Sequence, residues 1–167
     1  MNQILFLLTM STSTAYAGEI IMNYKEYDGH DNYWAVTPEV VICKNQTIFT
    51  KDQVKHAIKL WGEKYAKITM KEKCSYESEY GKIKITDGKH LELDEWGYTS
   101  YLYRDVKINN KTVRAHESAL VQLDRNVNDI TLLVHEIGHA YGYNHYEHKE
   151  DVMNAYYEYE KTEKYPY

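Results

Sequence analysis

Residues 135–145 read His135-Glu136-Ile137-Gly138-His139-Ala140-Tyr141-Gly142-Tyr143-Asn144-His145. On a helix, side chains four positions apart share a face, so His135 and His139 can reach one metal ion. Glu136 points towards the same cleft and can reach a water molecule on that ion. Gly142 is expected to end the helix, because a residue without Cβ turns the chain at low steric cost, and His145 can then return as a third ligand. Three protein ligands leave one zinc position open for water, which is typical of a catalytic site.

The residues before this motif predict the helix that carries it. Residues 126–129 offer capping side chains, and apolar residues from position 130 onwards follow the three-to-four spacing that buries one side of a helix. A core helix with two satisfied histidines on its rim is the alternative interpretation. Because Glu136, Gly142 and His145 accompany the histidine pair, the pattern favours a metal site.

The full pattern H-E-x-x-H-x-x-G-x-x-H resembles the zinc signature of the metzincin metallopeptidases, in which a methionine-containing turn follows the third histidine. The later stretch Asp151-Val152-Met153-Asn154 resembles that turn. The resemblance implies that Met153 lies beneath the three histidines as an apolar floor and does not bind the metal.

Other parts of the chain look like the matrixin branch of this group. The similar features are Trp61, Lys82-Ile83-Lys84-Ile85 and Leu120-Val121-Gln122-Leu123. The resemblance implies an α+β, metzincin-like zincin fold with a twisted, mostly parallel five-stranded sheet and two long helices. It also implies an active-site cleft above a small C-terminal subdomain that contains the methionine turn.

The remaining sequence patterns agree with an α+β order that places both helices on one face of a sheet. A capping box at Thr50 to Gln53 predicts the start of the first helix, whose apolar stripe ends near Tyr65. Strands or hairpin arms are predicted at residues 36–43, 68–70, 82–86, 98–103, 106–115 and 119–123. The arm at 106–115 is expected to turn around Asn109-Asn110.

The N-terminal segment predicts export. An apolar run over residues 4–10 is followed by Ala15-Tyr16-Ala17, which resembles a signal peptide over residues 1–17, although Lys and Arg are absent before the run. A membrane span is the competing interpretation, but it needs about 20 apolar residues. We therefore expect a single domain over residues 18–167, secreted or periplasmic, monomeric and without a membrane span after signal removal.

Charge and cysteine content restrict the partners and the compartment. The net charge of −5 argues against a nucleic-acid partner. Cys43 and Cys74 suit one disulfide if the compartment is oxidising, and otherwise two free buried thiols. Calcium loops at Asp28-Gly29-His30-Asp31 and Asp87-Gly88 have no further support, because solvated turns explain both equally well.

The other histidines are His30, His56, His90, His116 and His148, and none has a partner at ligand spacing. Surface positions are expected for them. His148 competes with His145 as the third ligand, but the turn expected at Gly142 favours His145.

These observations lead to the hypothesis of a zinc-dependent endopeptidase with one catalytic Zn²⁺ and a protein or peptide substrate. The metal would lower the pKa of a bound water, and Glu136 would act as general base and then general acid. An extended peptide could add to an exposed sheet edge between Tyr98 and Ala115. Tyr156 or Tyr157 would line the specificity pocket or stabilise the oxyanion, although ordinary packing explains them equally well. The alternatives are a zinc-stabilised binding module without hydrolysis and a zinc hydrolase that acts on cell-wall peptides.

Overall fold

The computed structural model describes residues 32–61, 67–88, 96–108, 110–145 and 152–153. In chain order these residues form β1 (Asn32–Trp34), β2 (Glu39–Cys43), α1 (Lys51–Leu60), β3 (Lys67–Lys71), β4 (Lys82–Asp87), β5 (Gly97–Ile108), β6 (Lys111–Leu123) and α2 (Ile130–Ala140). The expected signal peptide, residues 1–17, lies outside this part of the chain. Within it, no helix is long and apolar enough to cross a bilayer.

Five strands lie side by side in the order β3-β2-β4-β6-β5. All pairs are parallel except β5 with β6, which run antiparallel as one long hairpin. The short strand β1 pairs with residues 114–116 of β6, and β4 pairs with residues 118–123 of the same strand. Both lie on the side of β6 opposite β5. The expected α+β fold with a mostly parallel five-stranded sheet is thus confirmed, and β1 is a short sixth strand that we did not predict.

Both helices cover the same face of this sheet, as predicted. The buried apolar residues on that face are Val40, Ile42, Ile83, Ile85, Ala119, Val121 and Leu123. Helix α1 contributes Val54, Ala57 and Ile58, and α2 is buried at ten of its eleven positions. Because α2 contacts β5, β6 and α1, its motif residues are held by packing on several sides.

On the opposite face, a disulfide and a buried lysine fasten the segment between β3 and β4. Cys43 of β2 is bonded to Cys74, with 5.6 Å between the Cα atoms. The fully buried Lys84 donates from Nζ to the carbonyl oxygen of Ser75 at 2.8 Å and to Oε1 of Glu79 at 3.2 Å. The two connections tie this segment to the sheet.

Several element boundaries differ from the prediction. Helix α1 starts with the predicted capping box at Thr50 but ends at Leu60 rather than near Tyr65. Its cap residue Trp61 donates from Nε1 to the carbonyl oxygen of Val134 at 2.8 Å, so the chain leaves the helix where its side chain docks on α2. The separate arms predicted between residues 98 and 123 are two continuous strands, because polar residues such as Arg104 are tolerated on the exposed part of the hairpin.

Candidate metal centre

Helix α2 has a side-chain cap at its start and a glycine with positive φ just beyond its end. Asp129 is the N-cap, and its carboxylate accepts a hydrogen bond from the backbone N–H of Thr131 at 2.8 Å. At the other end Gly142 has a φ of +93°, and its N–H donates to the carbonyl oxygen of His139 at 2.8 Å. Gly142 therefore follows the end of the helix, as predicted, in a conformation that few residues with a side chain adopt.

The turn at Gly142 brings three imidazoles together. The Nε2 atom of His139 lies 3.1 Å from Nε2 of His135 and 3.1 Å from Nε2 of His145. Two nitrogens on a tetrahedral zinc ion, each about 2.0–2.1 Å from the metal, are separated by about 3.3 Å. The spacing of the three nitrogens therefore fits one ion of this size, and these residues could hold it.

Backbone carbonyls orient two of the three rings. The Nδ1 atom of His135 lies 2.6 Å from the carbonyl oxygen of Val152, and Nδ1 of His139 lies 2.7 Å from that of Tyr143. A carbonyl oxygen can only accept, so each Nδ1 carries the hydrogen and each Nε2 presents a lone pair. A histidine that binds a metal through one ring nitrogen characteristically donates a hydrogen bond from the other.

The imidazoles lie in surroundings that favour their neutral form. Burial, followed by repulsion from His135, lowers the pKa of His139 to about 3. Burial also lowers the pKa of His145. Because only a neutral imidazole offers a lone pair to a metal, His139 and His145 are in the form that binds metal at neutral pH.

Glu136 is buried between α2 and strand β5. The hydroxyl of Thr99 lies 2.7 Å from Oε2 of Glu136 and 3.0 Å from the backbone carbonyl oxygen of the same residue. A Cβ atom on Gly97 would lie 2.8 Å from Oε1 of Glu136, so the carboxylate occupies space that a side chain would fill. Thr99 and Gly97 were not identified from the sequence as neighbours of Glu136. The one available signal was the glycine just before the strand predicted from Tyr98, because a glycine there can mark the close approach of another group.

Met153 packs against the middle of α2. It is completely buried, and a Cβ atom on Gly138 would lie 2.5 Å from its sulfur and 2.6 Å from Cζ2 of Trp61. Trp61 also stacks on Tyr143 with 4.5 Å between ring centroids. Gly138 thus allows two large side chains to approach the helix between His135 and His139, a role that the sequence motif does not reveal.

The surface position predicted for His116 is wrong. Its exposed fraction is 1%, and neither ring nitrogen has a hydrogen-bond partner among the described residues. The side chain lies among the rings of Trp34, Tyr101 and Tyr103, at centroid distances of 6.0, 4.7 and 6.5 Å. A register shift between Leu102 and Tyr103 accompanies this arrangement on the partner strand.

Among the described residues, Asp87 and the two cysteines lie away from the candidate metal centre. Asp87 binds Arg125 and accepts a hydrogen bond from the hydroxyl of Tyr76. The cysteine pair lies on the opposite face of the sheet. Outside the described residues lie the candidates His30, His90, His148, Tyr156, Tyr157 and the loop at residues 28–31.

Comparison with protein families adds an independent observation from the sequence. The model of the matrixin peptidases matches residues 26–166, a range that includes the three histidines, Glu136 and Met153. No curated protein and no solved structure matches the chain.

Proposed function

The chain belongs to the matrixin family of zinc metallopeptidases, and we propose that it is a secreted endopeptidase whose single catalytic zinc ion is bound by His135, His139 and His145. The observation that carries this proposal is the convergence of the three Nε2 atoms, two of them on rings whose Nδ1 donates to a carbonyl. A structural metal would require a fourth protein ligand. Among the described residues, the potential metal-binding group contains these three histidines alone.

Glu136 is the residue that moves protons in the proposed reaction. When bound, zinc lowers the pKa of water and polarises a carbonyl group. Glu136 takes the proton from the attacking water and passes it to the amine that leaves. The peptide bond is therefore hydrolysed without a covalent bond between the enzyme and the substrate.

The substrate would lie along strand β5. In the described part of the chain β5 pairs with β6 on one side, so its other edge can accept an extended peptide as a further strand. Thr99 of β5 contacts Glu136, so a peptide on this edge passes the proposed base. This choice of strand supports a protein or peptide substrate bound mainly through its backbone.

The proposed location and assembly follow from the N-terminal residues and the family. We propose that residues 1–17 direct export and are removed, so that a monomeric domain begins at Gly18. Sequencing the N-terminus of protein recovered from the growth medium would test the cleavage site, and an N-terminus at Met1 would contradict it.

The hydrolysis itself can be tested with purified protein, mixed protein substrates and a zinc chelator. We expect cleavage that the chelator abolishes, and a loss of about 10²–10⁴-fold in Glu136→Gln with one zinc ion still bound. Glu72→Gln, an exposed acid outside the site, is the matched control and should keep full activity. Stoichiometric zinc without cleavage of any peptide would favour a binding module instead, and cleavage confined to cell-wall peptides would favour the other hydrolase class.

A further inference from the structure

Two residues of strand β5 converge on the carboxylate of Glu136. The Thr99 hydroxyl lies 2.7 Å from Oε2, and a Cβ atom on Gly97 would come within 2.8 Å of Oε1 and 2.9 Å of Cγ. Both residues lie on the sheet face that α2 covers, because they alternate along the same strand. Thr99 therefore contacts Oε2 directly, and Gly97 leaves the space that Oε1 occupies.

The contact between Thr99 and Glu136 is a hydrogen bond to a carboxylate and not only van der Waals packing. A hydroxyl has a single hydrogen, and of its two acceptors the carboxylate oxygen is closer than the backbone carbonyl oxygen, which lies at 3.0 Å. A hydrogen bond to a carboxylate is charge-assisted and about twice as strong as a neutral one. The bond holds a side chain whose last torsion angle otherwise varies broadly.

Gly97 has a role that backbone conformation does not explain. Gly81 and Gly142 have positive φ values, but Gly97 does not, so its φ does not require glycine. The missing side chain is instead explained by the carboxylate of Glu136, which occupies the space that a Cβ atom would need. Glycine weakens a strand, so its presence here is consistent with a requirement for this close approach.

We propose that Thr99 is a positioning residue that, with the space provided by Gly97, holds the Glu136 carboxylate in the orientation needed for proton transfer. This inference rests on the proposed peptidase function and adds a second role for β5. The strand proposed to bind the substrate backbone would also orient the base. The scissile peptide and the Glu136 carboxylate would then be aligned by one element of the fold.

The kinetic test compares Thr99→Val, which removes the hydroxyl at nearly constant shape, with Thr99→Ser, which keeps it. We expect Thr99→Val to lower kcat by about 10–100-fold with KM within about twofold and one zinc ion still bound. Thr99→Ser should stay within about threefold of the wild type. On a Glu136→Ala background, Thr99→Val should change the residual rate by less than about twofold, because the group that it positions is gone.

Several outcomes would overturn the inference. An equal loss on both backgrounds would mean that Thr99 supports the fold, and a change in KM alone would assign it to substrate binding. A higher kcat in Thr99→Val would mean that the bond restrains Glu136 away from its working position.

A structural measurement separates failure of this inference from failure of the proposed function. Crystal structures of the zinc-loaded wild type, Thr99→Val and Gly97→Ala require no activity. We expect one ordered Glu136 conformation in the wild type and a displaced or multiple one in both variants. An unchanged carboxylate in Thr99→Val would overturn the inference. A wild type that cleaves no peptide, with Glu136 displaced only in the variants, would overturn the proposed function and leave the positioning of the carboxylate by Thr99 in place.

Discussion

The imidazole of His135 donates from Nδ1 to the carbonyl oxygen of Val152 over 2.6 Å and so connects α2 to a turn that lies 17 residues later in the chain. The acceptor is a backbone atom, so the side chain at position 152 is not what orients the ring. The position of the turn is what matters, and completely buried Met153 fixes that position against Gly138. The methionine and the histidine are therefore coupled through the backbone between them.

Metal removal should destabilise the protein. A ligand at 1,000 times its Kd stabilises the folded state by about 4 kcal/mol, so at that excess a chelator should lower the free energy of unfolding by that amount. His145→Ala is the informative comparison, because it removes an exposed residue that we propose as a ligand and leaves α2 intact. Denaturant titrations with and without zinc would measure both. Equal zinc-dependent stabilisation of the variant would contradict the assignment of His145.

Gly138→Ala should destabilise the protein although alanine favours helices. Helix propensity alone would stabilise the variant by about 1 kcal/mol. The new Cβ atom would lie 2.5 Å from the sulfur of Met153 and 2.6 Å from Trp61, and such overpacking costs about 1–3 kcal/mol. We expect a net loss of up to about 2 kcal/mol in urea unfolding. A gain of stability would mean that Met153 and Trp61 move aside freely.

Glu79→Gln should destabilise the segment that covers Lys84. Hydrogen bonds from Lys82 and then from Lys84 lower the pKa of Glu79 to about 2. Loss of the carboxylate leaves the fully buried Lys84 ammonium without its counter-charge, which should cost about 1–3 kcal/mol at pH 7. The pKa is depressed in the folded state, so this cost should shrink as the pH falls from about 4.5 towards 2.

A second Glu→Gln substitution, which also removes one negative charge, provides the matched control for the stability measurement. Glu72 pairs with Lys44 at 2.8 Å, but both side chains are largely exposed. Glu72→Gln should therefore change the free energy of unfolding by no more than about 1 kcal/mol. Equal effects of the two substitutions would show that burial of Lys84 has no energetic consequence.

Acid should destabilise the protein through His116. Burial, followed by repulsion from Arg114, lowers its pKa from 6.5 to about 4, so below pH 6.5 the unfolded chain binds a proton that the folded protein excludes. Stability is therefore lost as the pH falls from 6.5 to 4. Relative to His116→Phe, which does not titrate, the wild type should lose about 2 kcal/mol between pH 7.5 and pH 5. A constant difference between the two proteins across this range would contradict the prediction.

The sequence predicted the elements whose signals are local. The capping box at Thr50, the helix through His135 and His139, and the turn at Gly142 each depend on residues within a few positions of one another. Predictions were poorer where long-range contacts decide the outcome. Helix α1 ends early because Trp61 docks on α2, and β1 forms because β6 extends far enough to pair with it.

The order of the proposed ligands and the proposed base along the chain was determined by the sequence alone, because their spacing on one helix and one turn fixes which side chains can meet. The tertiary structure alone decided which distant groups orient them. The carbonyl of Val152 and the hydroxyl of Thr99 reach the motif from segments 17 and 37 residues away. It also decided that His116 is buried and that β5, among the described strands, pairs with β6 alone. Such contacts depend on how strands and helices pack, and no local pattern of residue types encodes that packing.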